Sequence, residues 1–312
     1  MAAAISIQGL TKKYVDVWQK QEVVAVNNLN LEVQEGEIFG FLGRNGAGKT
    51  TTIKMLLGLI FPTDGDATLL GKPMGDNEVK RELAYLPEET YFYDSMTGWD
   101  ILDYYARLFK IPEPERSRRV QICLEKVRLQ PDAWRRSIRG YSKGMRQRTG
   151  IAQALINDPK LLFLDEPTSG LDPIAHAELR DIVASLKDEG KTVFLSSHQL
   201  ADVELICSRV AIIHRGKLLT EGKISDLVAG DYAEVVAQGK ELNSVIGQLK
   251  EFAPGSEITG GDTLRVTLPD DEKINAVIDV VRGAKAKIIS VVPHKRTLED
   301  VFVETVRKED GS

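Results

Sequence analysis

Cysteines and long apolar runs are scarce in this 312-residue sequence. The two cysteines, Cys123 and Cys207, lie far apart and lack metal-ligand spacing, so we expect neither a disulfide scaffold nor a zinc site, and a reducing compartment fits best. The longest apolar runs, such as residues 55–61, are far shorter than the ~20 residues of a membrane-spanning helix. The N-terminus has no charged segment followed by a long apolar one, so a secretory signal is not expected.

Excess positive charge is also absent, because the formal net charge is −5. This balance argues against a broad electrostatic surface for nucleic acid, and we expect no nucleic-acid partner. A hydrophobic fraction of 42% and a charged fraction of 28% are typical of a globular protein with a substantial core. One segment departs from the overall acidity: residues 140–149, GYSKGMRQRT, carry cations and no acid. A cationic segment of this kind is suited to binding an anion.

The patterns of hydrophobicity predict an α/β protein with two domains. Strand-like alternation and helical periodicity share the first part of the chain, and residues 88–158 are mostly helical in pattern. The pattern changes near residue 230 to short strands that alternate with two amphipathic helices, over 241–252 and 271–282. We therefore predict a first domain over residues 1–229 and a small α+β domain over 230–312, which is large enough to fold alone.

A glycine-rich loop between an apolar strand and a helix carries the clearest chemical signal. The segment GRNGAGKT matches the P-loop pattern G-x-x-x-x-G-K-[ST], and a dinucleotide fold fits worse because it has no use for the Lys-Thr pair. Inward-turned N–H groups at a helix N-terminus bind phosphate, Lys49 can reach the β- and γ-phosphates, and Thr50 can ligate Mg²⁺. The nucleotide-binding residues predicted in this loop are Gly43, Arg44, Asn45, Gly46, Ala47, Gly48, Lys49, Thr50 and Thr51.

Two acids follow a second apolar strand, in the segment LLFLDE. A P-loop needs a further Mg²⁺ contact at the end of a neighbouring strand, and Asp165 fits that role. Glu166 can then accept a proton from an attacking water or orient it. Taken alone, these acids can equally be a solvated strand end, and it is the P-loop that favours the catalytic interpretation.

Five motifs follow one another in the order of one known family. The P-loop is followed by YSKGMRQR, LLFLDE, SGLDP and FLSSH, and the combination resembles the nucleotide-binding subunits of ATP-binding cassette (ABC) transporters over roughly Ile5 to Leu227. The resemblance implies a P-loop NTPase cassette with a RecA-like core, an antiparallel β region and a helical subdomain. It implies an ATPase that uses ATP and Mg²⁺, an integral membrane permease on separate chains, a second and identical cassette, and a place at the cytoplasmic face of the cell membrane. Export is the direction to which the family inclines.

The resemblance also assigns individual residues. It implies that Ser142 and Gly144 close over the γ-phosphate held by a second copy, and that Asp172 lies at the dimer interface. It implies that His198 contacts the γ-phosphate and acts in catalysis together with Glu166 and Lys49.

Three features depart from the family pattern or fit it loosely. Tyr14 matches the aromatic residue that stacks on adenine, although the segment after it is longer than usual and Trp18 or Val24 can take part instead. Lys143 replaces a glycine, and we expect it near the γ-phosphate across the dimer. Glu88 replaces a glutamine and is predicted to ligate Mg²⁺ through oxygen.

Two further interpretations remain open at the level of sequence. The aromatic residues Tyr91, Tyr93 and Trp99 form either a surface that receives a permease or ordinary core, and exposure distinguishes the two. The competing functions are a soluble ABC-type ATPase in translation or DNA repair and a nucleotide-dependent regulator with little turnover. The single cassette and the lack of heptads or CxxC motifs disfavour the first of these.

Overall fold

The structure is a computed structural model that describes residues 2–16, 21–230, 232–253, 256–259, 261–268 and 273–311. The chain forms two compact units, Met1–Ile224 with Thr305–Ser312 and Ser225–Glu304. Residues 305–312 thus belong with the first unit, whereas the sequence pattern groups them with the tail.

The first unit contains most of the regular structure. Its strands are β1 (Ala3–Asp16), β2 (Gln21–Gln34), β3 (Ile38–Leu42), β4 (Asp64–Leu69), β5 (Lys72–Pro73), β6 (Leu83–Leu86), β7 (Leu161–Asp165), β8 (Thr192–Ser197), β9 (Arg209–His214) and β10 (Lys217–Lys223). Its helices are α1 (Lys49–Leu56), α2 (Gly98–Leu108), α3 (Glu115–Lys126), α4 (Lys143–Leu155), α5 (Pro173–Asp188) and α6 (Leu200–Ile206).

A six-stranded sheet places the predicted motifs at one edge. Its order is β10-β9-β3-β8-β7-β6, and all strands but β10 are parallel. Strands β3, β7 and β8 are buried throughout, as continuous apolar runs in parallel sheets are. Leu42 pairs with Ser197 and Asp165 with Ser196, so the segments that follow these strands leave the sheet side by side. In α/β proteins, ligands bind at the edge of the parallel sheet where the carboxyl ends of the strands lie.

Aromatic rings pack against one another at the centre of this sheet. The ring of Phe194 lies 5.9 Å from that of Phe39, 5.2 Å from Phe41 and 5.7 Å from Phe163, measured between centroids. Each of these four side chains is fully buried. Offset aromatic contacts stabilise a core beyond the burial of their area, so the three strands that carry the motifs are fixed relative to one another.

A second sheet in this unit is antiparallel, in the order β2-β1-β4-β5. It supplies the antiparallel β region that the family resemblance implies. Helices α2, α3 and α4 lie within the stretch predicted to be helical. Thr97 and Asp100 form a reciprocal capping box that fixes the start of α2.

The second unit is a small α+β fold. Its sheet, in the order β12-β13-β11-β14, is antiparallel, and its strands are β11 (Tyr232–Gln238), β12 (Glu257–Thr259), β13 (Thr263–Leu268) and β14 (Lys287–His294). Helix α7 (Ile224–Leu227) begins where the first unit ends, and it is followed by α8 (Leu242–Phe252), α9 (Ile274–Gly283) and α10 (Leu298–Asp310). The start of α9 predicted at residue 271 lies outside the described residues. Sequence periodicity did not indicate α10.

Alternation explains how this small sheet is covered. Val235 and Ala237 of β11 and Leu264 and Val266 of β13 point to one face and are completely buried. They belong to one apolar cluster with residues of α8 and α9. The period of two along each strand therefore gives the second unit a hydrophobic core of its own.

Candidate active site

The glycine-rich loop between β3 and α1 encloses a cavity of about 360 Å³. Gly48 has a φ of +109°, and a Cβ there would lie 2.4 Å from the carbonyl oxygen of Ala25, so only glycine fits this backbone. The turn places the start of α1, with its unpaired N–H groups, next to the cavity. The residues that line the cavity are Ala25, Arg44, Asn45, Gly46, Ala47, Gly48, Lys49, Thr50, Thr51, Glu88 and Glu166.

Lys49 is folded back into this loop. Its Nζ donates to the carbonyl oxygen of Gly43 at 2.6 Å and to that of Arg44 at 3.4 Å. It also forms an ion pair with Oε1 of Glu166, at 3.0 Å, and both side chains are only 6% exposed. The ammonium group is thus a buried positive charge at the cavity, and the Glu166 carboxylate is its counterion.

Glu166 connects the loop to the third strand. Its Oε2 accepts the backbone N–H of His198 at 3.3 Å and lies 2.7 Å from Nδ1 of the same histidine. The Glu166 backbone has a φ of +48°, which is uncommon outside glycine, and its N–H donates to the carbonyl oxygen of Ser196 at 3.1 Å. The carboxylate is therefore held between Lys49 and His198. A basic oxygen in this place can accept a proton from a water bound in the cavity.

Asp165 lies beneath these groups and is completely buried. Its Oδ1 accepts a hydrogen bond from Oγ of Ser196 at 2.5 Å, while Oδ2 has no hydrogen-bond partner among the described residues. The neighbouring Tyr85 responds to this carboxylate: burial first, and then the charge of Asp165 and a hydrogen bond to it, raise the pKa of Tyr85 to about 12. The phenol therefore stays protonated at neutral pH, next to the Asp165 carboxylate.

The acids fit a magnesium ion that is completed by other ligands. A buried carboxylate oxygen without a partner is unfavourable, and a cation removes that penalty. Thr50 and Glu88 line the cavity and supply oxygens, whereas Asp165 is fully buried and is not part of its lining. No cluster of three or more His, Cys, Asp or Glu residues in the described ranges can bind a metal alone. Mg²⁺ suits this set, because it takes one or two protein oxygens and completes its shell with waters and phosphates.

Several predicted site residues lie outside the cavity lining: Tyr14, Gly43, Ser142, Lys143, Gly144, Asp165, Asp172 and His198. Ser142 caps α4 by accepting the N–H of Met145 at 3.2 Å, and Gly144 follows in the first turn. Asp172 caps α5 by accepting the N–H groups of Ile174 and Ala175, at 3.1 and 3.0 Å. A Cβ on Gly144 would lie 2.8 Å from Cβ of Ala175, so the two helix starts pack together.

The structure also shows the surroundings of two further predicted residues, Tyr14 and Lys143. Tyr14 pairs with Val23 near the described end of the β1–β2 ladder, is 43% exposed, and has the Lys12 ammonium 5.1 Å from its ring centroid. Trp18 lies outside the described residues. The ammonium of Lys143 lies against Gly170, because a Cβ built there would be 2.4 Å from Nζ. Both assignments to the nucleotide stay predictions.

Sequence reasoning missed three residues at this site. Ala25 lines the cavity because β2 runs beside the loop, and an alanine in a strand carries no chemical signal. Ser196 holds Asp165, and Tyr85 lies next to it on β6. The first hydroxyl of FLSSH offered a signal for Ser196, since hydroxyl groups at a strand end next to an acid are candidate partners.

A phosphate-binding loop with its lysine, an Asp-Glu pair at the end of a neighbouring strand and a histidine after a third strand define the P-loop nucleotide-hydrolysing class. The more specific assignment comes from comparison with known proteins. Residues 26–169 match the family described as ABC transporter.

The chain is 44% identical to an uncharacterised ABC transporter ATP-binding protein of Synechocystis sp., over 93% of this chain and 81% of that protein. It is 43% identical to the bacitracin transport ATP-binding protein BcrA of Bacillus licheniformis, over 98% of each. It is 34% identical to the Nod factor export ATP-binding protein I of Cupriavidus pinatubonensis, over 99% of this chain and 92% of that protein. Among solved structures, a dimeric bacterial ABC transporter cassette, MJ0796, superposes with a TM-score of 0.64 at 25% identity, over 70% of this chain and 98% of that one.

The chain belongs to the ABC transporter ATP-binding proteins, and it is an ATP-binding and ATP-hydrolysing subunit of that family. The predicted α/β ABC cassette fold is confirmed. Subunits of this family work with membrane permeases and as cassette dimers. Across the described part of the chain, no helix is both long enough and apolar enough to cross a membrane.

Proposed function

We propose that this chain is the ATPase subunit of an exporter and drives a separate membrane permease by hydrolysing Mg-ATP between two identical cassettes. The observation that carries the proposal is the chain of contacts from Lys49 through Glu166 to His198 at the phosphate-binding cavity. Relatives named for bacitracin transport and for Nod factor export support an exporter.

Catalysis is assigned to residues that already touch one another. Glu166 accepts a proton from the attacking water, because its carboxylate is held at the cavity wall by His198. Lys49 binds the β- and γ-phosphates after it exchanges Glu166 for a phosphate oxygen. His198 contacts the γ-phosphate. Thr50, Asp165 and Glu88 hold Mg²⁺, which neutralises charge on the phosphates when it is bound.

The remaining predicted residues complete the nucleotide site across a dimer. Ser142, Gly144 and the N-terminal end of α4 face the γ-phosphate of the second copy, with Lys143 beside them. Asp172 lies in the contact between the cassettes, and Tyr14 stacks on adenine. The capped helix starts of α4 and α5 support this arrangement, since they pack directly on each other and present one joint surface.

A permease is proposed to dock on the segment after β6 and to hold the protein at the cytoplasmic face of the membrane. Tyr91 and Tyr93 are 84% and 81% exposed, which favours docking over core packing. Trp99 differs from them, because it packs against Trp134 with ring centroids 6.3 Å apart and against the guanidinium of Arg135. Docking is therefore assigned to the two tyrosines. Copurification of the full chain with a polytopic membrane protein tests this assignment.

The catalytic proposal is tested by Glu166→Gln. We expect this variant to bind ATP and to lose about 10²–10⁴-fold in turnover, because the amide cannot accept the proton. Glu189→Gln is the matched control, since Glu189 pairs with Lys126 at the surface. Phosphate release and ATP-dependent dimer mass are measured for both. Wild-type turnover in Glu166→Gln would show that Glu166 is not the general base. A Glu166→Gln chain that stays monomeric with saturating Mg-ATP would contradict a nucleotide site shared between two cassettes.

A further inference from the structure

A second cluster of polar side chains lies between α5 and α6. It consists of Thr168, His176, Gln199 and Asp202, which we call the α5–α6 cluster. Thr168 follows Glu166 by two residues, His176 lies in the first turns of α5, and Gln199 and Asp202 lie at the start of α6. The proposed chemistry uses none of the four.

His176 is the centre of the cluster. Its Nε2 lies 2.8 Å from Oδ2 of Asp202 and also contacts Oε1 of Gln199. Because two acceptor oxygens face the same ring nitrogen, we assign a proton to that nitrogen. One imidazole group thus contacts two side chains of the segment that follows His198.

Asp202 is a buried acid that depends on these neighbours. It is 7% exposed, the side chain of Thr168 lies beside it, and Nη1 of Arg180 lies 3.9 Å from its Oδ1. Burial raises the pKa of Asp202, and the charges of His176 and Arg180 oppose that increase. A buried carboxylate is tolerated only while its partners stay in place, so the cluster resists separation of its members.

The cluster touches both functional segments at short range. The backbone N–H of His176 donates to the carbonyl oxygen of Asp172 at 2.9 Å, so His176 lies one helical turn after the loop formed by residues 168–172. Gln199 follows His198 directly, and His198 contacts Glu166. Contacts therefore run from the loop, through His176 and Gln199, to the histidine that contacts Glu166.

We propose that His176 and Asp202 are positioning residues of the ATPase: they hold the His198 segment against the loop Thr168–Asp172, so that a displacement of that loop moves His198 relative to Glu166. The inference rests on the proposed roles of His198 and Glu166. It adds no ligand to the nucleotide site. It identifies instead the contact through which a change at the loop reaches the site of hydrolysis.

Substitution of His176 should separate turnover from binding. We expect His176→Ala to lower kcat by about 10- to 100-fold, as misplaced catalytic groups do, and to leave the KM for ATP unchanged because the P-loop is untouched. His176→Gln retains a donor and should recover most of the loss. Asp188→Ala, an exposed residue at the far end of α5, is the control and should match the wild type.

Two readouts distinguish positioning from a merely structural role. Backbone hydrogen exchange of residues 198–206 in the nucleotide-free full chain should accelerate in His176→Ala, while exchange of residues 49–56 should not change. In single-turnover hydrolysis, His176→Ala should add little to His198→Ala, because both act through one histidine.

The outcomes are separable. A lowered Tm with wild-type kcat and wild-type exchange at residues 198–206 overturns the inference, and so does an equal loss of rate with and without His198. If the wild type itself fails to hydrolyse ATP, the proposed function is wrong, while the exchange measurement still decides whether His176 fixes the His198 segment. Should His176→Ala fold poorly, the same measurements on Asp202→Asn decide the matter.

Discussion

The ion pair between Lys49 and Glu166 predicts how the nucleotide-free protein and its affinity for nucleotide are linked. The two groups are 3.0 Å apart, and each side chain is 6% exposed. Removal of one partner from a buried ion pair costs about 3–5 kcal/mol, because the other charge is left without compensation. In Glu166→Gln the amide oxygen can rotate to accept a hydrogen bond from Lys49, which returns about 1.5–3 kcal/mol. We therefore expect a net loss of about 2 kcal/mol in the stability of the nucleotide-free chain.

The same pair opposes nucleotide binding. A phosphate that reaches Lys49 has to separate it from Glu166, so the free energy of the pair is subtracted from the free energy of binding. Without the pair, Glu166→Gln should bind Mg-ADP about 30-fold more tightly, which is about 2 kcal/mol converted at 1.36 kcal/mol per tenfold. ADP is the appropriate ligand because hydrolysis does not complicate its equilibrium.

Calorimetry measures both effects. Titration with Mg-ADP gives the affinity, and thermal scans without nucleotide should show a Tm lower by roughly 4–8 °C for a unit of this size. Glu189→Gln, which removes a surface pair with Lys126, should change neither quantity by more than about 1 kcal/mol. Equal ADP affinity and equal Tm in Glu166→Gln and the wild type would refute the reasoning, since the ion pair would then contribute to neither stability nor nucleotide affinity.

Two further predictions concern the loop and a buried thiol. Gly48→Ala should weaken nucleotide binding at least ~10-fold, because its Cβ would meet the Ala25 carbonyl oxygen. Gly46→Ala is the control: Gly46 has a φ of +79° but no atom within 4 Å of a built Cβ, so this variant should cost only about 1–2 kcal/mol of stability. Equal nucleotide binding by the two variants contradicts the prediction. Burial raises the pKa of the Cys123 thiol to about 11, so its contribution to stability is full below the ordinary thiol pKa and is lost as the pH rises through 11. Iodoacetamide should leave Cys123 unmodified in the folded chain at pH 8, and labelling at the rate of the unfolded chain would count against its burial.

Local pattern was sufficient for much of the fold. The apolar runs of β3 and β7 predicted strands, and the glycine-rich segment between β3 and α1 predicted a phosphate-binding turn, because both signals lie within a few consecutive residues. The Arg-Gly pair at residues 215–216 likewise lies at the reversal between the antiparallel strands β9 and β10.

Boundaries and the course of the tail were harder to predict. Sequence periodicity did not indicate α10, and its last turn returns to the first unit, where Asp310 lies 3.2 Å from Nε2 of His214 and 3.0 Å from a guanidinium nitrogen of Arg215. Polar contacts between residues so far apart in the chain leave no periodic trace in the sequence. They depend on how the elements pack, which hydrophobic pattern alone does not specify.

The sequence by itself determined which residues can do chemistry: the loop with Lys49, the acids Asp165 and Glu166 and the histidine His198, each placed at the end of an apolar strand. Tertiary structure alone decided which of them touch. The order of strands β3, β8 and β7 brings Lys49 to Glu166 and Glu166 to His198, and the packing of α5 on α6 brings His176 to Asp202. Local propensity acts over a few neighbouring residues, whereas these pairings follow from the order in which strands and helices share one core.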